Sequence, residues 1–274
     1  MGVIHMDLNT RESVFKQAKA WVLEAGQQIR ESMFKPMDID TKSNPNDLVT
    51  TIDKETEIYF VNKLKASYPT HLLFGEEGYG DDITSLDGTV WIIDPIDGTM
   101  NFVHQKRNFA ISVGIYQDGV GEIGIIYDVM ADVLYYAKKG MGAYKNDVQL
   151  QPLSPSVKLE ESIIGLNHYW LCENGLVDEK VMANFVKTVR GTRNMGSAAL
   201  EQAYVAEGVL DSYMAMNLAP WDIAAGKIIV QEVGGLVSDR DGLELDMLQK
   251  SSLVTGNQSI HQIIIQDFLK KGKK

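Results

Sequence analysis

The chain is poor in cysteine and in long apolar runs. Cys172 is the single cysteine among 274 residues, so no internal disulfide can form. A lone thiol is typical of proteins from a reducing compartment. No stretch reaches the roughly 18 apolar residues that a membrane-spanning helix needs, and the N-terminal segment lacks the charged-then-apolar pattern of a secretory signal. We therefore expect a cytoplasmic protein.

Positive charge is also scarce. The chain has 26 Lys and Arg residues against 37 Asp and Glu residues, a net charge of -11. This balance argues against a partner with a nucleic-acid backbone, and the basic tail at 270–274 is too short to reverse it. The five histidines include no close pair typical of a zinc site, and no Gly-x-Ser-x-Gly nucleophile motif is present.

Residues 94–99, with the sequence DPIDGT, are the most informative segment. The preceding residues 90–93 are apolar and partly β-branched, which predicts a strand buried on both faces that ends at Pro95. Gly98 allows close approach of a ligand to the backbone, and the amides of Gly98 and Thr99 could bind an anion if a helix begins there. Two carboxylates beside such an anion site indicate phosphate chemistry assisted by cations.

Other interpretations of this segment differ in how well their spacing fits. Asp-Pro-x-Asp-Gly is also good turn chemistry, and this alternative stays open. Phosphoaspartate phosphatases carry Asp-x-Asp-Gly-Thr, but here the nucleophile position holds Pro95 and the two aspartates lie three residues apart. An EF-hand loop is excluded because it needs oxygen ligands at alternate positions and a glutamate at the twelfth.

Two further acidic groups follow or begin apolar elements. The strand-like residues 72–75 deliver Glu76 and Glu77 just beyond their end, although a solvated acidic loop is the competing interpretation. Asp222 lies in the first turn of a helix predicted from residue 221, where the helix dipole alone would stabilise its charge by about 0.3–1 kcal/mol. Each group nonetheless offers hard oxygen ligands, and together they predict a metal site formed by Glu76, Asp94, Asp97 and Asp222, with the carbonyl of Ile96 as a further ligand.

The chain resembles the inositol monophosphatase family on these residues. The two family signatures match here as residues 91–104, WIIDPIDGTMNFVH, and residues 221–226, WDIAAG. The Gly75-Glu76-Glu77 element and the region of Asp53 fall at the expected intervals, so the similarity covers nearly the whole chain. The resemblance implies a magnesium-dependent phosphomonoesterase that is sensitive to lithium and forms a homodimer.

The resemblance also implies two to three magnesium ions per active site. Glu76, Asp94 and the Ile96 carbonyl would surround the first ion, and Asp94, Asp97 and Asp222 the second. Glu76 with waters would hold a weaker third. Magnesium suits such hard oxygen ligands and keeps several waters, one of which can become the nucleophile.

By the same resemblance, water attacks phosphorus directly and no phosphoenzyme forms. The hydroxyl of Thr99, hydrogen-bonded to Asp53, would orient or deprotonate that water with assistance from Glu76. Considered alone, Asp53 can equally be a helix-start carboxylate. The implied substrate contacts are Asp97, Gly98, Thr99, Gly196, Ser197, Ala198 and Asp222, of which Ser197 also reads as a helix N-cap.

The chain departs from the animal members of the family at one position. Those proteins have a glutamate seven residues before the helix aspartate that binds inositol hydroxyls, and here that position is Ala215. Loss of a hydroxyl acceptor weakens selectivity for a polyol. We expect hydrolysis of inositol 1-phosphate, with fructose 1,6-bisphosphate, the 2′-phosphate of NADP(H) or 3′-phosphoadenosine compounds as alternatives. A catalytically idle protein that binds metal or phosphate is a further alternative.

The order of elements predicts an α+β protein, and the resemblance implies the layered αβαβα sandwich of inositol monophosphatases and fructose-1,6-bisphosphatases. Pro152 and Pro155 suggest a boundary between lobes 1–152 and 153–274. The literal Gly119-x-Gly121-x-x-Gly124 match to a dinucleotide-binding motif is flanked by strand-like segments and predicts a hairpin instead. Residues 36–47 are predicted to form a mobile loop.

We predict helices near 10–32, 53–67, 175–188, 197–208, 221–233 and 258–270. We predict strands near 71–75, 89–94, 108–117, 121–128, 132–138, 161–167, 210–216 and 235–239.

Overall fold

Layers of helix and sheet alternate through the protein, which a computed structural model describes for residues 6–36, 38–41 and 48–273. Of the mobile loop predicted at 36–47, residues 37 and 42–47 lie outside the described residues, and residues 39–41 form a strand instead. The helices are α1 Leu8–Ser32, α2 Thr51–Ser67, α3 Thr99–Gln105, α4 Glu179–Thr188, α5 Ala198–Glu207, α6 Pro220–Glu232 and α7 Gln258–Ile263, which continues as a π-helix over Ile264–Leu269. Short 3₁₀ helices span Leu159–Glu161 and His168–Leu171.

The strands are grouped in three sheets. A two-stranded sheet pairs β1 Ile39–Thr41 with β2 Leu48–Thr50. A seven-stranded sheet contains, in spatial order, β3 Leu72–Gly75, β4 Thr89–Asp97, β5 Ala110–Gln117, β6 Val120–Asp128, β7 Val133–Lys138, β8 Ala143–Lys145 and β9 Val148–Gln149. A five-stranded sheet has the spatial order β11 Gly191–Arg193, β10 Ile163–Leu166, β12 Ser212–Leu218, β14 Ser251–Gly256 and β13 Leu236–Ser238.

The seven-stranded sheet separates two apolar cores. In β4, Trp91 and Ile93 pack with α1 and α2 on one face, whereas Val90 and Ile92 pack with α5 and α6 on the other. Alternation along a strand sends successive side chains to opposite faces, so an unbroken apolar run is what a sheet covered on both sides requires. The predicted burial of this strand on both faces is therefore confirmed.

Helix α6 lies unusually close to this sheet because small residues face each other. A Cβ atom added to Gly114 in β5 would lie 2.7 Å from the Cβ of Ala224, and one added to Gly124 in β6 would lie 2.6 Å from the Ala225 carbonyl oxygen. Gly119 and Gly124 thus belong to the antiparallel hairpin β5–β6, as predicted, and no helix follows them as a dinucleotide-binding motif would need.

The five-stranded sheet forms the fourth layer. Its inner face, with Tyr213 and Ala215, packs on α5 and α6, and its outer face, with Met214 and Val254, packs on α4 and α7. The order of layers is therefore helix, sheet, helix, sheet, helix, which confirms the layered α+β sandwich. No helix within the described residues combines the length and apolar character that crossing a bilayer demands.

The structure also contains elements that the sequence patterns did not predict. These are α3, the two 3₁₀ helices and the strands β1, β2, β8, β9, β11 and β14. Most are only two or three residues long, too short to show periodicity. The proposed boundary between lobes at 152 and 153 lies between the last strand of the seven-stranded sheet and the first of the five-stranded sheet.

Candidate active site

Strand β4 does not end at Pro95, contrary to the prediction. It continues to Asp97, and its pairing with β5 shifts register between Asp94 and Asp97. An irregularity of this kind accommodates a proline that cannot donate to the ladder. Asp94 and Asp97 are buried, with 2% and 6% of their surface exposed, and the Ile96 amide donates to Asp94 Oδ1 at 2.9 Å. The bulge thus places two carboxylates close together at the end of the strand.

The third carboxylate of the site comes from the first turn of α6. Pro220 occupies the first helical position, and Asp222 Oδ2 accepts the backbone N–H of Ala219 at 2.8 Å, which fixes the side chain as a cap. One carboxylate oxygen from each of Asp94, Asp97 and Asp222 lies within 4.8 Å of the others. Residues distant in the sequence therefore converge on a volume that one or two cations would fit.

Burial and mutual repulsion raise the pKa values of these carboxyl groups. Burial, followed by the charges of Glu76, Asp97 and Asp222, raises the pKa of Asp94 well above its usual range. Burial and the charges of Asp97 and Glu76 do the same to the pKa of Asp222. Burial raises the pKa of Asp97 to about 6, opposed mainly by hydrogen bonds from Ser197 and Ala199. Buried like charges of this kind are stable only when paired or when they bind a metal.

Glu76 joins this cluster from the end of β3, which runs parallel to β4. It is half-buried, its side chain hydrogen-bonds with Asp94, and its charge contributes to the raised pKa of Asp94, Asp97 and Asp222. Parallel neighbouring strands bring their carboxyl ends to the same sheet edge, which explains why Glu76 and Asp94 meet. Glu77 lies in the loop beyond.

Thr99 and Asp53 lie together beside the cluster. The Thr99 hydroxyl is 3.2 Å from Asp53 Oδ1 and 3.1 Å from the Ile96 carbonyl oxygen. Asp53 is the third residue of α2, and its Oδ2 accepts the Thr50 amide at 3.0 Å in a capping box. Burial raises the pKa of Asp53 to about 6. The helix-start interpretation of Asp53 is therefore correct, and the same side chain also contacts Thr99.

The backbone turns sharply at Gly98 to begin α3. Gly98 has φ 92°, and a Cβ atom there would lie 3.1 Å from the Gly196 carbonyl oxygen. Both the positive φ and the close approach favour glycine. Helix α3 begins at Thr99, so the helix start that an anion site at the Gly98 and Thr99 amides would need is present.

The predicted substrate-contact segment lies directly against this turn. Ser197 is the N-cap of α5 and donates its hydroxyl to Asp97 Oδ2, and the Ala199 amide donates to the same oxygen at 2.9 Å. The segment Gly196–Ser197–Ala198 is also tied to α3, because the Asn101 side chain donates to the Met195 carbonyl at 2.7 Å. The structure therefore brings together every residue predicted for the site.

A sequence profile of the inositol monophosphatase family matches residues 10–273. The chain belongs to this family. It is 54% identical over 252 residues to inositol-1-monophosphatase of Bacillus subtilis (strain 168), which covers 92% of this chain and 95% of that protein. Members of the family are phosphoric monoester hydrolases that depend on metal ions, and the acidic cluster fits that dependence.

Two other comparisons agree. The fructose-1,6-bisphosphatase/inositol-1-monophosphatase of Thermotoga maritima is 35% identical over 230 residues, 83% of this chain and 85% of that protein. The crystal structure of inositol monophosphatase-II from Staphylococcus aureus MSSA476 has a TM-score of 0.86 at 44% identity, covering 94% of each chain. The predicted family and fold are confirmed.

Three buried polar residues of this inositol monophosphatase family member escaped prediction, although each holds part of the site. Glu57 accepts the amides of Glu77 and Tyr79, both at 2.7 Å. Glu201 Oε1 accepts the Met195 amide at 2.7 Å, and burial raises the pKa of Glu201 to about 7.

Gln202 is the third of these residues, and it connects α5 to α6. Its side-chain amide donates to the carbonyl oxygens of Ala198 at 3.0 Å and Asp222 at 2.7 Å. The glycines of the signature motifs were an available signal, because a Cβ atom on Gly226 would lie 2.3 Å from Gln202 Oε1. A glycine inside a helix marks a close approach by another group.

Proposed function

We propose that this protein hydrolyses a small phosphomonoester with magnesium, converting inositol 1-phosphate to inositol and phosphate. The observation that carries this proposal is the convergence of Asp94, Asp97 and Asp222 within 4.8 Å of one another, beside the Thr99–Asp53 pair. Its relatives support the substrate, since the Bacillus subtilis protein is an inositol-1-monophosphatase.

The donor set fits magnesium. All candidate ligands are hard oxygens, namely the carboxylates of Glu76, Asp94, Asp97 and Asp222 and the carbonyl of Ile96. One oxygen of Asp97 holds the N-terminus of α5 and one of Asp222 holds that of α6, so each of these carboxylates has a second oxygen for a cation. We propose that two to three ions bind per active site.

When bound, magnesium would lower the pKa of a coordinated water and neutralise charge on the phosphate. The side chains of the site position the attacking water and accept its proton. The Thr99 hydroxyl donates a hydrogen bond to Asp53 Oδ1. The lone pairs of the Thr99 oxygen can therefore accept a hydrogen bond from the attacking water. That water loses its proton toward Thr99, Asp53 and Glu76 as its oxygen bonds to phosphorus. The ester P–O bond breaks as the new P–O bond forms, and the leaving oxygen takes a proton from solvent water to give the alcohol. The proton taken from the attacking water returns to solvent, which restores the Thr99–Asp53 pair.

The remaining predicted residues would hold the phosphate and the alcohol. We propose that the amides of Gly98 and Thr99 bind phosphate oxygens, preset by the turn at Gly98. Asp97, Asp222 and the segment Gly196–Ser197–Ala198 would contact the alcohol portion. Because Asp97 itself binds Ser197, a change at either residue would displace both the metal ligand and the substrate contact.

Fructose 1,6-bisphosphate is the second candidate substrate, favoured by Ala215. This residue is only 2% exposed and lies on the inner face of β12, where it offers no acceptor for a sugar hydroxyl and no negative charge against a second phosphate. The Thermotoga maritima relative carries both activities in its name. The 2′-phosphate of NADP(H) and 3′-phosphoadenosine compounds complete the panel of substrates to be assayed.

Phosphate release tests the proposal. We expect release from inositol 1-phosphate with Mg²⁺ and none in excess chelator, with activity restored when Mg²⁺ is added back. Release that persists in chelator would contradict the metal mechanism. Absence of release from every substrate in the panel, by folded protein that binds Mg²⁺, would favour the idle binding protein instead.

The assembly and inhibition inferred from the family are also proposals. We propose a cytoplasmic homodimer with lobes 1–152 and 153–274, inhibited by lithium. Light scattering coupled to gel filtration would show twice the 30.5 kDa chain mass for a dimer, and the chain mass alone would contradict it.

A further inference from the structure

Glu57 is a fully buried carboxylate that the mechanism above does not use. Its exposed surface is 0%, and it lies on α2 four residues after Asp53, about one helical turn along the same face. Its Oε2 accepts the amide of Glu77 at 2.7 Å, and its Oε1 accepts the amide of Tyr79 at 2.7 Å. Both amides belong to the loop that follows Glu76.

The Glu57 carboxylate lies against Gly75, where the absence of a side chain leaves room for it. A Cβ atom on Gly75 would lie 2.4 Å from both Cδ and Oε2 of Glu57, closer than any side chain can approach. Gly75 ends β3 and immediately precedes Glu76. The Gly75-Glu76-Glu77 element is therefore shaped around a side chain from another helix.

Two hydrogen bonds to one carboxylate are a strong restraint. Bonds from neutral amides to an ionised acceptor are roughly twice as strong as neutral pairs, and a buried carboxylate is costly unless such bonds satisfy it. Glu76, in contrast, faces the like charges of Asp94, Asp97 and Asp222, which favour its movement away from the cluster. The restraint and the repulsion act on adjacent residues of one loop.

We propose that Glu57 is a positioning residue that holds Glu76 in the metal cluster by fixing the backbone of residues 77–79. The inference rests on the proposed function, in that it takes Glu76 as a metal ligand. Helix α2 then contributes two residues to the site. Asp53 contacts Thr99 directly, and Glu57 positions Glu76 through its hydrogen bonds to the loop.

The test compares Glu57→Gln with Glu55→Gln. Glutamine has nearly the same size but sets one NH₂ group against an amide N–H, so one of the two bonds is lost. Glu55 lies on the same helix two residues away and is exposed, which makes it a matched control. Amide hydrogen exchange of Glu77 and Tyr79 is measured in metal-free protein, and Mg²⁺ affinity is measured by direct titration and by activation of phosphate release.

We expect both amides to be protected in the metal-free wild type. In Glu57→Gln, the amide that faces the NH₂ group should exchange at least about tenfold faster. The Mg²⁺ dissociation constant should rise about 10- to 100-fold, the range found for residues that orient metal ligands. The kcat at saturating Mg²⁺ should stay within a few-fold, since Glu57 touches no reacting atom. Glu55→Gln should match the wild type throughout.

Unchanged exchange and unchanged Mg²⁺ affinity in Glu57→Gln would overturn the proposal. So would fast exchange of both amides in the wild type, a result that needs no variant to fold. If Glu57→Gln does not fold, Glu57→Asp keeps the charge on a shorter side chain and should show the same weakening of Mg²⁺ binding. Hydrogen exchange and titration do not require turnover, so an inactive wild type would refute the proposed function and leave this test intact.

Discussion

Helices α2 and α6 begin with the same local device, yet their aspartates have different neighbours. Asp53 and Asp222 each occupy the third helical position and accept the backbone N–H that precedes their helix, at 3.0 Å and 2.8 Å. The other side of Asp53 contacts the Thr99 hydroxyl, whereas Asp222 lies among carboxylates. The capping hydrogen bond fixes each carboxylate in place. The neighbouring residues then determine whether the carboxylate takes part in proton transfer or binds a cation.

For both aspartates, the sequence left open whether the side chain stabilises a helix start or belongs to the site. A helix-start role and a site role do not exclude each other, because a carboxylate has two oxygens. Asparagine at either position keeps a side-chain oxygen that can accept the same backbone N–H and removes the negative charge. This substitution therefore separates the two roles without unfolding the helices.

The largest effect is expected for Asp222→Asn. It removes a charged ligand from the cluster while keeping the α6 cap, and we expect phosphate release to fall by about 10³-fold, equivalent to several kcal/mol of lost metal assistance. Titration should also show weakened Mg²⁺ binding. The control is Asp178→Asn, which removes the same charge from the N-cap of α4, outside the site. Activity within a few-fold of the wild type would contradict the role of Asp222 as a metal ligand.

Asp53→Asn should give a smaller loss with a different signature. We expect kcat to fall by about 100-fold, the lower end of the range for acid–base groups, with the Mg²⁺ dissociation constant within a few-fold of the wild type. Thr99→Ala should resemble it. If Asp53→Asn instead weakened Mg²⁺ binding as much as Asp222→Asn does, the distinction between the two helices would be lost.

Ala215→Glu should change selectivity rather than chemistry. Ala215 is 2% exposed, so a glutamate there has to extend out of the core toward the site, where it would accept a polyol hydroxyl and repel a second phosphate. The ratio of kcat/KM for inositol 1-phosphate over fructose 1,6-bisphosphate should then rise by about tenfold. Ala215→Gln, similar in size and uncharged, separates charge from bulk. An unchanged ratio in Ala215→Glu would rule out this position as the source of relaxed specificity.

The last prediction concerns stability rather than rate. The raised pKa of Asp97, about 6, means that the folded metal-free protein binds more protons than the unfolded chain, whose aspartates titrate near 3.9. Stability of the metal-free protein should therefore fall as pH rises above about 4. The fall should continue beyond pH 6, because burial raises the pKa of Glu201 to about 7 and the pKa values of Asp94 and Asp222 well above their usual range. Mg²⁺ at about 100 times its dissociation constant would add about 2.7 kcal/mol.

Thermal unfolding at pH 5 and pH 7.5, with and without Mg²⁺, measures this effect. We expect Mg²⁺ to raise Tm by several degrees at pH 7.5 and by less at pH 5, because protons compete for the carboxylates. Asp222→Asn should reduce the Mg²⁺-dependent shift, and Asp53→Asn should keep it. A shift that is larger at pH 5 would contradict the assigned titration.

The candidate metal ligands could be predicted from the sequence, whereas the buried residues that hold them in place could not. Each ligand candidate lies in a short motif with recognisable chemistry, so Glu76, Asp94, Asp97 and Asp222 could be named from the chain. Their convergence follows from parallel pairing of β3 with β4 and from packing of α6 on the sheet, which local patterns do not encode. The resemblance to the family supplied that missing step.

Glu57, Gln202 and Glu201 could not be predicted in the same way. They are polar residues on otherwise ordinary helices, and each accepts from or donates to a backbone group outside its own helix. Gly75 and Gly226 mark where Glu57 and Gln202 approach, but a glycine does not show which residue fills the space beside it. The strand end at Pro95 was wrong for a related reason, because only the pairing of β4 with β5 shows the bulge that lets the strand continue.

The central claim is that carboxylates from β3, β4 and α6 share divalent cations. A crystal soaked in Mn²⁺, which also prefers oxygen ligands, and measured at the manganese absorption edge tests it most directly. We expect anomalous peaks bounded by Glu76, Asp94, Asp97 and Asp222. The peak beside Asp97 and Asp222 should be lost in Asp222→Asn, and every peak should be kept in Asp53→Asn. Manganese bound only elsewhere, with those carboxylates unliganded, would contradict it.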